Sequence, residues 1–197
     1  HRPTQAGVAR ETRIAAHRVE RSAPRDRNQL YVPNEVGEVQ VRQASVLARA
    51  ENLAGTANRE IGLRDGEAVR FGALTVLPRL VTHPTESYGM RITDPSGATL
   101  VYSGDTGVCD ALVELASGAD VFLCEASWTH APERPPHLHL SGTEAGRMAK
   151  LAGVGELLLT HIPPWTSRED VISEAKAEFD GPVHAVVCGE NIDVRRS

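Results

Sequence analysis

What this chain lacks narrows it first. No apolar stretch approaches the roughly 18 residues that cross a bilayer, and no leader-like start precedes an apolar segment, so a cytoplasmic protein without a membrane partner is expected. Cysteine is scarce. The three, Cys109, Cys124 and Cys188, are odd in number, far apart and free of any C-x-x-C spacing. They offer no disulfide framework and read as reduced, buried thiols, Cys124 and Cys188 standing in apolar, strand-like runs. Aromatic residues make up 4% of the chain, and none occurs before Tyr31. Excess positive charge is also missing. A net charge of −5 over 197 residues argues against a surface built to coat nucleic acid. It leaves a nucleotide substrate open, because a bound cation can dominate the local field.

What is present is enough for a core: 41% hydrophobic and 24% charged residues describe a globular chain of one domain or slightly more. The composition is uneven. Residues 1–30 hold seven arginines against Glu11, Glu20 and Asp26, a net +4, which leaves −9 for the remainder. This arm reads as disordered, with phosphate binding as the alternative. The start at His1 suggests a processed chain, a fragment, or a truncated or misread coding region. Residues 31–66 are poorly defined, with a short strand in Val36–Val41 and a helix over Ala44–Ile61 interrupted by Gly55.

From residue 67 onward the pattern sharpens. Ala68–Phe71, Leu74–Val81 and Tyr88–Thr93 read as strands, and Asp94-Pro95-Ser96-Gly97 as a turn leading into Leu100–Tyr102. Cys109–Ala116 reads as a helix stopped by Gly118, and Val121–Cys124 as a fully apolar strand. Ser141-Gly142-Thr143-Glu144 is a capping box that opens a helix to about Leu151. Leu157–Thr160 is a buried strand. A second capping box, Thr166-Ser167-Arg168-Glu169, opens a helix to about Phe179, and Val183–Cys188 is the last strand. Strand-then-helix alternation predicts an α/β layered architecture.

Chemistry-bearing residues stand at or beside the ends of these apolar runs. His83, Asp105 and His161 follow three different strands, and two imidazoles with one carboxylate make a plausible ligand set for zinc or a similar ion. Taken singly, each has an ordinary structural explanation, such as Asp105 capping its own Gly-rich turn. Glu125 and His139 could pair, the carboxylate orienting the imidazole so that it donates to a phosphoryl or leaving oxygen. The alternatives are a salt-bridged strand end and a solvated loop histidine. His137-Leu138-His139 superficially opens an H-x-H-x-D-H metal motif, but Leu140, Ser141 and Gly142 follow, with neither Asp nor a third His.

Read together, T-H-P-T-E-S-Y-G at 82–89, Y-S-G-D-T-G at 102–107, C-E-A-S-W at 124–128, H-L-S-G-T-E at 139–144 and L-T-H-I-P-P-W at 159–165 resemble the metallo-β-lactamase superfamily. The resemblance covers about residues 67–190 and is to the C-terminal half of the branch that holds ribonuclease Z and related cyclic-nucleotide phosphodiesterases. It implies an αββα sandwich, with His83, Asp105 and His161 as metal ligands and Glu125 with His139 as a phosphate-handling catalytic dyad. It also implies two zinc ions, Mn2+ being possible, that share Asp105 and supply the nucleophile near neutral pH.

The expected reaction is phosphodiester hydrolysis of a small cyclic nucleotide such as 3′,5′-cyclic AMP. Ile162-Pro163-Pro164-Trp165 departs from the polar continuation usual in the endonucleases, and Trp165 could stack on a base or pack beneath its loop. The H-x-H-x-D-H motif is not found upstream, where only His1 and His17 precede His83. The expectation is therefore a C-terminal half whose N-terminal half is missing or altered, incomplete for catalysis by itself. A tRNA 3′-processing endonuclease and an inactive truncated member are the alternatives, and a homodimer is an open possibility.

Overall fold

The structure, a computed structural model, describes residues 29–33, 39–42 and 63–196. Strands β1 (Gln29–Pro33) and β2 (Val39–Arg42) pair antiparallel, so the short strand read in 36–41 is found as β2, with a partner the sequence did not suggest. Residues 1–28 of the Arg-rich arm and the helix expected over 44–61 lie outside the described residues, while Gln29 and Leu30 belong to β1.

The main body is one seven-stranded sheet whose strands lie side by side in chain order: β3 (Val69–Phe71), β4 (Leu74–Leu80), β5 (Tyr88–Thr93), β6 (Thr99–Tyr102), β7 (Val121–Glu125), β8 (Glu156–Thr160) and β9 (Val183–Ala185). Strands β3 to β6 are antiparallel, joined by short turns. Strands β6 to β9 are parallel. Parallel neighbours need a crossover, and each crossover here contains a helix: α1 (Asp110–Ala116), α2 (Gly142–Ala152) and α3 (Arg168–Glu178). Among the described residues, no helix is long and apolar enough to cross a membrane.

Local chemistry explains the ends of these elements. At the β5–β6 turn, Asp94 Oδ1 accepts from Ser96 N, Ser96 Oγ and Ala98 N at 2.8, 2.7 and 2.9 Å. The Ser96 hydroxyl foremost holds this carboxyl below its usual range. Helix α1 gets no side-chain cap at its N-terminus, but Arg91 Nη1 donates to Leu115 O and Ser117 O at its C-terminus, where a cation is favoured. Helix α2 has the expected capping box, Ser141 Oγ accepting from Glu144 N while Glu144 Oε2 accepts from Ser141 N. Helix α3 departs by one residue from the expected box. Its N-cap is Ser167, not Thr166, and accepts from Asp170 N. Thr166 Oγ1 instead donates to Ser127 O, so its hydroxyl is already engaged.

Cross-strand partners share a face, which separates two apolar layers. Val101 and its neighbour Phe122 face the helices, where they are buried with Leu112, Met148, Leu159 and Val171 in one cluster. Met90 and its partner Tyr102 point the other way, packing with Leu63, Val76 and Ile92. The last strand is shorter than expected. β9 ends at Ala185, the chain turns through Gly189 at φ +83°, and Cys188 is exposed rather than buried in a strand. Cys124 is fully buried, and that burial pushes its thiol well above the ordinary range.

The topology has one functional consequence. β4 runs in the same direction as β6, because β5 is antiparallel to both, and β7 and β8 are parallel to β6. The segments that follow β4, β6, β7 and β8 therefore emerge at one rim of the sheet, the rim where open α/β sheets carry their ligands.

Candidate active site

All five residues expected to handle metal or phosphate stand on this rim. His83 follows β4, Asp105 follows β6, Glu125 ends β7, His139 precedes α2 and His161 follows β8. They converge. Ligand atoms of His83, Asp105 and His139 lie within 4.8 Å of one another, as do those of Glu125, His139 and His161. The ring centroid of His139 is 5.7 Å from that of His83 and 5.1 Å from that of His161.

Glu125 is the fixed point. It is 0% exposed, and its backbone N–H donates to Ser103 Oγ at 2.9 Å. Oε1 accepts from Thr106 N at 2.8 Å and from His139 Nδ1 at 2.7 Å. Oε2 accepts from Ser127 Oγ at 3.0 Å, Ser127 N at 3.3 Å and Leu140 N at 3.4 Å. Burying a carboxylate costs several kcal/mol unless its lone pairs are filled, and here both oxygens are. A carboxylate only accepts, so His139 carries its proton on Nδ1, which leaves Nε2 as the atom available for chemistry. Burial by itself would lower the His139 pKa. The hydrogen bond to Glu125 and the negative charges of Glu125 and Asp105 offset this and raise it above the ordinary imidazole value.

Asp105 stands among three histidines. Its Oδ1 is 3.3 Å from His161 Nδ1, and a carboxylate oxygen lies within 4.8 Å of a ring nitrogen of His83 and of His139. The preceding Gly104 has φ +64°, and a Cβ there would fall 2.5 Å from Tyr88 O, so the loop closes against β5 only with glycine at that position. His161 also adopts a left-handed backbone, φ +55°. For a non-glycine residue this conformation is uncommon and costs on the order of 1 kcal/mol, a kind of strain that collects at functional sites. Ser127 Oγ lies 2.9 Å from His161 O and 3.2 Å from its Nδ1, so it joins that strained residue to Glu125.

The expected trio His83, Asp105 and His161 is not itself one of the two groups whose ligand atoms all lie within 4.8 Å of one another, but its Asp105–His161 pair has the spacing of two ligands on a divalent ion. Two ligands of a tetrahedral zinc with bonds of about 2.0–2.1 Å stand roughly 3.3 Å apart, which is the separation of Asp105 Oδ1 and His161 Nδ1. Nitrogen and carboxylate donors suit zinc and related ions.

Sequence reading missed several contributors. Ser127, 5% exposed, binds both Glu125 and His161, and Thr106 supplies a backbone N–H to Glu125. Ser127 lies two residues beyond Glu125 in the same phrase, the one signal that could have marked it. The Trp128 ring is 6.2 Å from His139, and its Nε1 is buried without a hydrogen-bond partner among the described residues. The loop between β7 and α2 walls a cavity of about 340 Å3 beside His139, lined also by Val108, His130, Arg134 and Pro136. Trp165 is 84% exposed, so it does not pack beneath its loop.

Similarities to known proteins bear on the family and the fold. An uncharacterised protein of Mycobacterium leprae is 81% identical over 131 residues, 66% of this chain and 46% of that protein. The crystal structure of the metallo-β-lactamase fold protein YhfI from Bacillus subtilis superposes with a TM-score of 0.60 at 33% identity, covering 65% of this chain and 53% of that one. A ribonuclease Z from a Synechococcus strain is 38% identical over 97 residues, 45% of this chain and 30% of that protein. The chain spans about half the length of the first curated relatives it matches. A family model described as "Beta-lactamase superfamily domain" matches residues 15–162, well over half of the chain, and the chain therefore belongs to the beta-lactamase superfamily.

Proposed function

We propose that this chain belongs to a metal-dependent phosphodiester hydrolase acting on a small cyclic nucleotide such as 3′,5′-cyclic AMP. The observation that carries the reading is the 2.7 Å Glu125–His139 pair set beside Asp105, which is close to both His83 and His161. His83, Asp105 and His161 would hold the metal. When bound, the metal supplies positive charge for a phosphoryl oxygen and lowers the pKa of water. The chain's own groups do the rest. Glu125 fixes the His139 ring, and His139 Nε2, when protonated, donates to a phosphoryl oxygen or to the departing ester oxygen. Ser127 and Thr106 keep Glu125 from rotating.

The cyclic-nucleotide choice is supported by the acidic net charge and by Ile162-Pro163-Pro164-Trp165, which puts a stiff apolar segment directly after His161. The likeness to a ribonuclease Z supports a second reading, cleavage at tRNA 3′ ends.

Hydrolysis of bis(p-nitrophenyl) phosphate, 3′,5′-cyclic AMP and a 3′-extended tRNA by the zinc- or manganese-supplemented protein tests both. Cyclic AMP turnover lost in His139→Ala supports the first reading. Cleavage of the tRNA alone supports the second, and no hydrolysis of any phosphodiester by either this chain or its longer Mycobacterium leprae relative sinks both. His83, Asp105 and His161 give only three protein ligands, few for two ions that each want about four. The chain by itself is accordingly expected to hold one zinc tightly at most. Two tightly held zinc ions by elemental analysis would contradict this.

A further inference from the structure

We propose that the cavity beside His139, between Val108 and the β7–α2 loop, is the subsite that takes the nucleobase of the substrate. This inference rests on the phosphodiesterase reading of the same site. The cavity and the dyad share His139, so whatever is esterified to a phosphate held at His139 has this space directly beside it. At about 340 Å3 it lies at the small end of ligand sites, room for one compact organic group rather than a folded chain.

The chemistry of its walls selects that group. Val108, 53% exposed, and Pro132 and Pro136 present apolar surface. Prolines hold their backbone near a fixed φ, so this wall is largely pre-formed. At one edge stand Arg134 and His130. Arg134 Nη2 donates to Glu144 Oε1 at 2.7 Å and lies 3.3 Å from His130 Nδ1. A guanidinium only donates, so Arg134 brings N–H groups to this edge, and His130 Nδ1 also lies 3.0 Å from Ser141 Oγ. The cavity therefore combines an apolar wall with a polar edge that includes an N–H donor. A flat heteroaromatic ring with acceptors on its rim matches that arrangement, and a nucleobase is such a ring. Gly107 seats the opposing walls closely, since a Cβ there would lie 2.7 Å from His137 Cα. Trp165 is not on these walls, and the inference puts the base here rather than on that indole.

Calorimetric titration with 3′,5′-cyclic AMP and with inorganic phosphate, zinc present, tests this without requiring turnover. Val108→Arg fills the mouth of the cavity from an exposed position. It is expected to raise the ratio of the nucleotide Kd to the phosphate Kd at least tenfold, and His130→Ala to raise it about threefold. Trp165→Ala should leave the ratio within twofold. An unchanged ratio in Val108→Arg, or a loss that appears in Trp165→Ala instead, overturns the subsite. If Val108→Arg does not fold, His130→Ala decides by the same ratio. Nucleotide binding that follows this pattern, with no hydrolysis by either this chain or its longer Mycobacterium leprae relative, would remove the phosphodiesterase reading and leave the subsite standing. A wild-type protein that binds neither probe overturns both.

Discussion

Glu125 Oε1 and His139 Nδ1 lie 2.7 Å apart, although 14 residues and an irregular loop separate them in the chain. The carboxylate is fully buried and the imidazole partly open, so the two ends of the pair have different tasks. Glu125 is held by the fold, and His139 faces whatever enters the site.

That asymmetry predicts different consequences for the two partners. Glu125→Gln turns an amide NH2 toward backbone N–H donors from Thr106, Ser127 or Leu140. A buried donor facing donors costs about 1–3 kcal/mol for each group left unsatisfied, so urea unfolding should show a loss of that order. His139→Asn should cost less stability and lower phosphodiester turnover by about 10²–10⁴, the usual contribution of a positioned acid–base group. Equal stability losses in the two variants would contradict the assignment of Glu125 as the anchor.

Metal binding should stabilise the fold through Asp105. A ligand at a hundred times its Kd adds about 2.7 kcal/mol to a site present only in the folded state. The thermal midpoint of the wild-type chain is expected to rise with zinc, and the rise should disappear in Asp105→Ala and weaken in His83→Ala and His161→Ala. A rise that survives Asp105→Ala would move the metal elsewhere.

Much of the rim was legible in sequence, because strands end where apolar runs stop, and His83, Asp105, Glu125 and His161 each stand at or near such an end. The helix starting at Ser141 was equally plain, since a capping box is a local, two-residue signal. What stayed hidden depends on distant partners. The start of α3 shifted from Thr166 to Ser167 because Thr166 bonds across to Ser127 O, 39 residues away. Cys188 looked like strand interior because Val186 and Val187 precede it, yet the turn through Gly189 and the Glu190 carboxylate, which accepts from Val187 N, takes the chain out of the sheet. The β7–α2 loop has no periodicity to read. Its cavity follows from how Pro132 to His139 fold back on Gly107.

Gly104 links backbone geometry to site geometry. Gly104→Ala must place a Cβ against Tyr88 O in a left-handed conformation. The expected cost is about 1–3 kcal/mol, and because Asp105 is the next residue, zinc affinity should fall along with stability. Calorimetric zinc titration of the folded variant measures the second effect. A variant that loses stability but keeps wild-type zinc affinity would show that Asp105 is positioned independently of this turn.

Glu144 gives the protein a specific acid sensitivity. Burial would raise its pKa, but the hydrogen bond from Arg134, the Ser141 backbone and hydroxyl, and the charge of Arg134 lower it below its ordinary value. Both side chains of the Arg134–Glu144 pair are mostly buried, 12% and 19% exposed, so solvent screening is limited. A depressed carboxylate contributes stability that is complete above its unfolded pKa, near 4.5, and is lost as pH falls through the lower folded value. Glu144→Gln keeps an acceptor for the Ser141 cap but loses the charge. Near neutral pH it should be less stable than wild type by about 1–2 kcal/mol, the range for a hydrogen bond to a charged group. The gap should narrow as pH drops below the ordinary glutamate value, where the unfolded chain takes up a proton that the folded side chain does not, and should level off below the lower folded value. Urea unfolding of both proteins at pH 7, 5 and 3 measures this, and a gap that stays constant across that range would assign the depressed pKa no part in stability.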